Sequence, residues 1–418
     1  MLSFLKKCLR PKPNPIGADF GSDTIKLAQV ARADNDWKLV AAASIDVPAH
    51  VRHDMPAKMA FLAQSVRELV AQGGFIGRDA IIALPAASMY IQHLRLPKMD
   101  EETLRKSIPW EARGKLPIDP AAAVLRHHVA GEVFQDHEPK DEVIVMAAGR
   151  DVVSGYLNMA ARAKLDVIGM NVEPRAIVDC FGHVYRRKGD AEMTNCFIDI
   201  GFSSTRVVIA NGAHILFARS IPSGGDHLSR AVAAALQIDL EQARQIRWRL
   251  AASQPASSER QKKQEVESEA NPPLVQEAGG DVRVCEPAQQ TAAACRSPQA
   301  ELIERAMLDP LRRLVEEIDF CRRYYEASFP NRPIGRLVFV GGEAKQRWTC
   351  QQIAQELGIA AQVGDPLVRM GRISDIGPES GIDRRQPQPN WAVAIGLSMG
   401  PVAPSEAEIL QTAARTEE

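Results

Sequence analysis

The sequence predicts an α/β protein in which one β-rich unit occurs twice. Three observations predict it. Short runs that alternate or stay apolar are interleaved with amphipathic stretches at helical spacing. A D-x-G turn between apolar runs appears at Asp19-Phe20-Gly21 and again at Asp199-Ile200-Gly201. Each copy opens a β-hairpin pattern, and the two lie at equivalent places in their units, which points to internal duplication at domain scale.

Taken in order, residues 15–21, 24–32 and 37–46 read as three antiparallel strands with polar turns between them. "AKMAFLAQSVRELVAQGG" repeats apolar residues at helical spacing and stops on Gly73-Gly74. "AIIALPAASMYIQHLRLP" returns to strand. "MDEETLRKSIPWEARGKLP" is a helix with Asp100 as N-cap and Glu101 and Glu102 in its positive first turn; Pro109 is expected to kink it. Strands follow near 123–133 and at "EVIVMAAGR", then a helix over 151–165, the strand "LDVIGMNVEP" and a helix from about Pro174 to Arg187. The second unit opens with strand, turn and strand in "NCFIDIGFSSTRVVIANGAHILFARSIPSGG", where Asn211-Gly212 marks a hairpin. Residues 252–299 are rich in Ser, Gln, Glu, Ala and Pro and read as a disordered insertion. A long helix resumes after it, expected to be disturbed at Pro310. "IGRLVFVGGEAKQ" reads as a buried strand ending on Gly341-Gly342 with a helix behind it, and "WAVAIGLSMG" closes the fold.

Composition excludes several classes. With 418 residues, 45% hydrophobic and 25% charged, the chain can build a sizeable core. A net charge of -1 gives no reason to expect nucleic acid. The seven cysteines are odd in number and none has C-x-x-C spacing, which argues for a reducing compartment without disulfides or a zinc site. The doublet His127-His128 lacks the spacing of a metal pair. No apolar run is long enough to span a membrane, and "MLSFLKKCLRPKPNP" is not a secretory signal.

The chemistry sits at the two turns. Glycine lets backbone N–H groups approach an oxyanion, and a carboxylate beside it can hold the waters of a magnesium ion that touches the oxyanion. One such carboxylate per hairpin suits a Mg-nucleotide held between two domains, although either D-x-G alone reads as an ordinary structural turn. Asp19 and Asp199 are therefore candidate Mg²⁺-orienting acids. Gly21, Ser22, Gly201, Ser203, Ser204 and Thr205 are candidates for cradling phosphates, and Lys26 adds positive charge. Gly341 and Gly342 let the chain pass close to a flat base or a phosphate.

The ordered set "DFGSDTIK", "IDIGFSSTRVVI" and "VFVGGEA" resembles the two phosphate loops and the adenosine loop of the actin-like ATPase superfamily. Within it the chain resembles the PilM-type type IV pilus assembly proteins, through "LPKMDEETLRKSIPWEARGKLPID", "GMNVEPRAI", "FARSIPSGGDHLSRAVAAAL" and "AIGLSM". The resemblance covers residues 14–400 apart from the insertion. It implies an α/β, actin-like ATPase fold: two duplicated RNase H-like domains around a nucleotide cleft, with a small inserted α+β subdomain.

The expected boundaries are a flexible basic N-terminus over 1–13, a first domain over 14–188 with the inserted subdomain at about 80–165, a second domain over 189–400, and a tail over 401–418. The resemblance also implies a cytoplasmic adaptor that binds ATP with Mg²⁺ and is at most a slow ATPase. Its partners would be the N-terminal cytoplasmic peptide of a PilN-like bitopic inner-membrane protein, docked between the first domain and the inserted subdomain, and other proteins of the platform. A homodimer is left open. Glu173 lies where the family's interdomain connection carries an acid and could polarise an attacking water; as the residue before Pro174 it also reads as a solvated helix start.

The chain departs from the family in one helix. Members carry Glu and Lys in an "AExxK" segment facing the nucleotide sugar, where this chain has "LEQARQIRWR" with Ala243-Arg244 and Arg247. A guanidinium only donates, so it cannot accept the ribose hydroxyls as a carboxylate does. The alternatives are a divergent member with a degenerate nucleotide site, a related scaffold of type II secretion or cell division, and a phosphotransferase.

Overall fold

The computed structural model describes residues 13–33, 36–185, 189, 193–253, 298–372 and 380–400. The expected basic terminus, the insertion and the tail fall almost wholly outside them. Among the described residues, those before Leu228 and those from Leu311 onward form one compact unit, and Leu228–Pro310 form a second.

The first unit contains two sheets of the same design. β1 (Ile16–Phe20), β2 (Thr24–Ala33) and β3 (Asp36–Asp46) form an antiparallel meander. α1 (Met55–Gln72) follows, with Asp54 capping it by accepting from Ala57 N–H. β4 (Asp79–Ala83) then returns parallel to β1. β5 (Tyr90–Pro97), α2 (Glu101–Glu111), β6 (Ala123–Gln135) and β7 (Glu138–Gly149) make a separate three-stranded sheet with one helix on it, in the order β5-β7-β6. α3 (Arg150–Arg162) leads back to β8 (Asp166–Asn171), parallel to β4, and then to α4 (Glu173–Phe181).

The second sheet repeats the plan. β9 (Thr194–Ile200), β10 (Thr205–Asn211) and β11 (His214–Ile221) are antiparallel. α5 (Gly225–Leu236), α6 (Leu240–Ser253) and α7 (Pro298–Ser328) intervene. β12 (Ile334–Val340) is parallel to β9, and after α8 (Arg347–Leu357) comes β13 (Ala361–Val363), parallel to β12. The strand orders are β3-β2-β1-β4-β8, with the two-residue β14 (Gly371–Arg372) added at the β3 edge, and β11-β10-β9-β12-β13. In both, the third, second and first strands stand beside the fourth and fifth. The duplication inferred from two D-x-G turns thus extends to entire sheets.

Both faces of β1 are buried, so it is apolar throughout except for Gly17 and Asp19. Leu62, Val66 and Val70 of α1 and Tyr156, Met159 and Ala160 of α3 pack into the core over it. On its other side lies α9 (Ala392–Met399), in which every residue is buried. A Cβ on Gly17 would sit 2.0 Å from Ala394 O, and one on Gly396 would sit 1.8 Å from Ala176 O. These two glycines allow α9 to lie directly on β1 and against α4. Ser398 Oγ donates to Pro15 O at 2.7 Å and accepts from Val30 N–H at 3.0 Å.

In the second unit, Leu228, Val232, Ala243, Ile303 and Met307 are buried, and so is Arg247. Its Nη1 donates to Ser229 Oγ at 2.7 Å, and its Nε lies 3.3 Å from Met307 Sδ. Arg244 forms a long 3.9 Å ion pair with Glu241.

Two local expectations are corrected. "AIIALPAASMYIQHLRLP" is two strands in two sheets, separated at Pro85, which has no N–H for a ladder. α4 is shorter than expected, stopping at Phe181 before Gly182. Pro109 and Pro310 both lie inside continuous helices, α2 ending two residues after the first at Glu111 and α7 running on past the second to Ser328.

Candidate functional site

The duplicated hairpins bring their turns together. Ser22 Oγ and Ser203 Oγ are 2.7 Å apart, although 181 residues separate them in sequence. Gly21 is required by its turn: a Cβ there would lie 2.6 Å from Thr24 O. In the second turn Gly201 N–H donates to Ser204 O at 2.9 Å, so that donor is already in use. Thr205 Oγ1 donates to Ser223 O at 2.7 Å, which ties its hydroxyl to the neighbouring loop. Gly341 has φ +87°, and a Cβ on it would fall 2.2 Å from Asp199 Oδ1. Gly342 has open space around its Cα.

The acids converge behind these turns. Asp19, near the end of β1, pairs across the hairpin with Lys26, whose Nζ is 3.9 Å from its Oδ2. Burial pushes the Asp19 carboxyl above the usual range, against the pull of Lys26 and Arg206 and with added repulsion from Asp199. Asp199 faces Arg206 across the β9–β10 ladder. Arg206 donates to Asp199 Oδ2 from Nε at 2.8 Å and approaches it with Nη2 at 2.7 Å, while Nη1 donates to Glu173 Oε2 at 2.9 Å.

Glu173 opens α4 and is buried rather than solvated. Burial pushes its carboxyl up to about 8; Arg206 opposes this, and Asp19 and Asp199 reinforce it. Glu173 is therefore harder to ionise than an exposed carboxyl, and its ion pair with Arg206 offsets this only in part. Burial would weaken Arg206's hold on its own proton, but the three acids more than reverse that.

The structure therefore assembles Asp19, Ser22, Lys26, Glu173, Asp199, Ser203 and Gly341 at one place. The residue that sequence reasoning missed is Arg206. The signal was a lone charge inside the apolar strand "TRVVIA", where a buried cation demands acidic partners. Whether these acids fit a resident Mg²⁺ can be tested directly. Asp199 Oδ2 and Glu173 Oε2 are occupied by the guanidinium, and among the described residues no group of three His, Cys, Asp or Glu side chains could hold a metal ion. The described side chains therefore offer no set that would ligate Mg²⁺ directly.

The histidine doublet is accounted for by other contacts. His127 Nε2 lies 3.0 Å from Glu101 Oε1, and His128 Nε2 donates to Ile215 O at 2.9 Å.

Residues 17–258 match the family described as type IV pilus assembly protein PilM. The chain belongs to the PilM family. Residues 196–395, which span the second PilM-like sheet, are also similar to cell division protein FtsA. No curated protein is similar enough to the chain to count as a match. Among solved structures, the chain is similar to one titled "PilM-PilN type IV pilus biogenesis complex", with 21% identity and a TM-score of 0.69 over 94% of this chain and 99% of that one. Ethanolamine utilization protein EutJ from Carboxydothermus hydrogenoformans follows at 14% identity and a TM-score of 0.49, over 94% of this chain and 90% of that one. The fold is that of the actin-like ATPases, as the PilM-type resemblance implies. Among the described residues, no helix is long and apolar enough to cross a membrane.

Proposed function

We propose that this PilM-family protein is a cytoplasmic adaptor of the pilus assembly platform that docks the N-terminal peptide of a PilN-like inner-membrane protein. The observation that carries this is a groove of about 350 Å³ beside β5, lined by Met89, Tyr90, Ile91, Leu116 and Pro117 and reaching Ser203. β5 is the edge strand of its three-stranded sheet, so its backbone can pair with an extended peptide while the apolar side chains supply pockets. The groove abuts the second D-x-G turn, which gives nucleotide and peptide a common wall.

On this reading the turns take ATP. Ser22 and Ser203 meet the phosphates together with the backbone of Gly21, Gly201 shapes the second turn through its bond to Ser204 O, Lys26 adds charge, and Gly341 and Gly342 face the base. Thr205 shapes the turn through its bond to Ser223. With Glu173 Oε2 tied to Arg206, binding rather than turnover is the expected activity.

A fluorescent peptide from the partner's cytoplasmic N-terminus, titrated by anisotropy, tests the docking. Tyr90→Ala and Ile91→Asp are expected to weaken binding about tenfold or more, with unchanged circular dichroism. Equal affinity in wild type and both variants would place the peptide elsewhere.

A further inference from the structure

Asp199 of the second D-x-G turn already has a cation, as Asp19 of the first has Lys26. Arg206 is held by Asp199 across the β-ladder and by Glu173 at the start of α4, with three contacts between 2.7 and 2.9 Å. Its side chain is buried and projects from the second residue of β10, a strand paired on both sides by β9 and β11, so it is a fixed part of the wall. A hard divalent cation needs carboxylate oxygens, or waters that they hold. A guanidinium between Asp199 and Glu173 takes the hydrogen-bonding positions those waters need, and its charge repels a second cation placed a few ångströms away.

We propose that Arg206 does in this chain what a divalent ion does in a metal-dependent phosphate cleft. It compensates the charge of Asp199 and ties Asp199 to Glu173 where a divalent ion's waters would be held, so the cleft takes a nucleoside polyphosphate without Mg²⁺. The ligand part of this inference rests on the nucleotide reading above; the metal part does not.

Two titrations of the full-length protein separate these parts. By calorimetry, ATP affinity in EDTA and in Mg²⁺ is expected to agree within about twofold. Affinity about tenfold or more weaker in EDTA would overturn the proposal while keeping the nucleotide reading. Arg206→Thr is expected to reverse the pattern, binding ATP only with Mg²⁺; Arg206→Lys, which keeps the charge, should remain metal-independent if the Thr variant fails to fold.

No ATP binding under either condition would remove the nucleotide reading and leave Mn²⁺ alone, followed by electron paramagnetic resonance, to decide the metal. No bound Mn²⁺, or Mn²⁺ that Asp199→Asn leaves in place, supports the proposal. Mn²⁺ bound to wild type and lost in Asp199→Asn overturns it.

Discussion

His128 should make the protein acid-sensitive well above the carboxylate range. Its ring lies between β6 and β11, where Nε2 donates to Ile215 O and the His214 ring stands 4.9 Å away, centroid to centroid. Burial, aided by the neighbouring positive charges of His214, Arg175 and His127, lowers its pKa from 6.5 to about 4; the Ile215 carbonyl opposes this only in part. The unfolded chain therefore takes up a proton from about pH 6.5 downward while the native state refuses it. Stability is fully present above the unfolded pKa, falls as the pH drops below it, and stops falling near the folded value. A gap of about 2.5 pH units at about 1.4 kcal/mol each corresponds to a total of about 3.5 kcal/mol, of which about 2 kcal/mol has gone by pH 5. His128→Gln keeps an amide donor for Ile215 O and does not titrate. Urea unfolding at about pH 7.5 and pH 5 should show wild type losing about 2 kcal/mol more than this variant. Equal losses in the two proteins would refute the assignment to His128.

Glu142 on β7 is fully buried, with His93 Nδ1 at 2.8 Å, Arg95 Nε at 3.0 Å and Tyr324 Oη at 2.8 Å; Glu142→Leu removes the carboxylate that these three groups share and should cost about 3–5 kcal/mol in chemical denaturation. Burial alone would raise the Glu142 carboxyl, but bonds from His93 and Tyr324 bring it below the usual 4.5, so its contribution should persist in mild acid and vanish only as the pH falls below that value. Gly341→Ala forces a Cβ onto Asp199 at a positive φ and should lower the melting temperature and expression, whereas Gly342→Ala, with open space around it, should be tolerated. Ser398→Ala leaves Val30 N–H without its acceptor under α9 and should cost about 1–3 kcal/mol by denaturant titration.

Much of the fold was legible because each D-x-G hairpin follows strict local rules. Alternating or apolar runs marked β1 to β3 and β9 to β11, and Asp100 caps its helix as expected by accepting from Thr103 N–H. What local rules could not show was pairing at a distance. Nothing in "AIIALPAASMYIQHLRLP" says that its halves belong to different sheets. The contact of Ser22 with Ser203 follows from the folded duplication and not from either turn alone. Arg206 was passed over because sequence patterning treats a charge inside a strand as noise, while its meaning comes from Asp199 opposite and Glu173 far away in the chain. Arg247 was expected to face a sugar; its burial against Ser229 and Met307 depends on helix packing that its own segment does not encode.

The seating of α9 on β1 has a consequence for synthesis. Val30 leaves the ribosome 368 residues before the Ser398 that bridges to it from the covering helix. The first hairpin can form during translation, yet one face of β1 stays open to solvent and to chaperones until α9 has been made. Commitment to the native state thereby waits for α9, and a message truncated before Trp391 should yield a product recognised as unfinished.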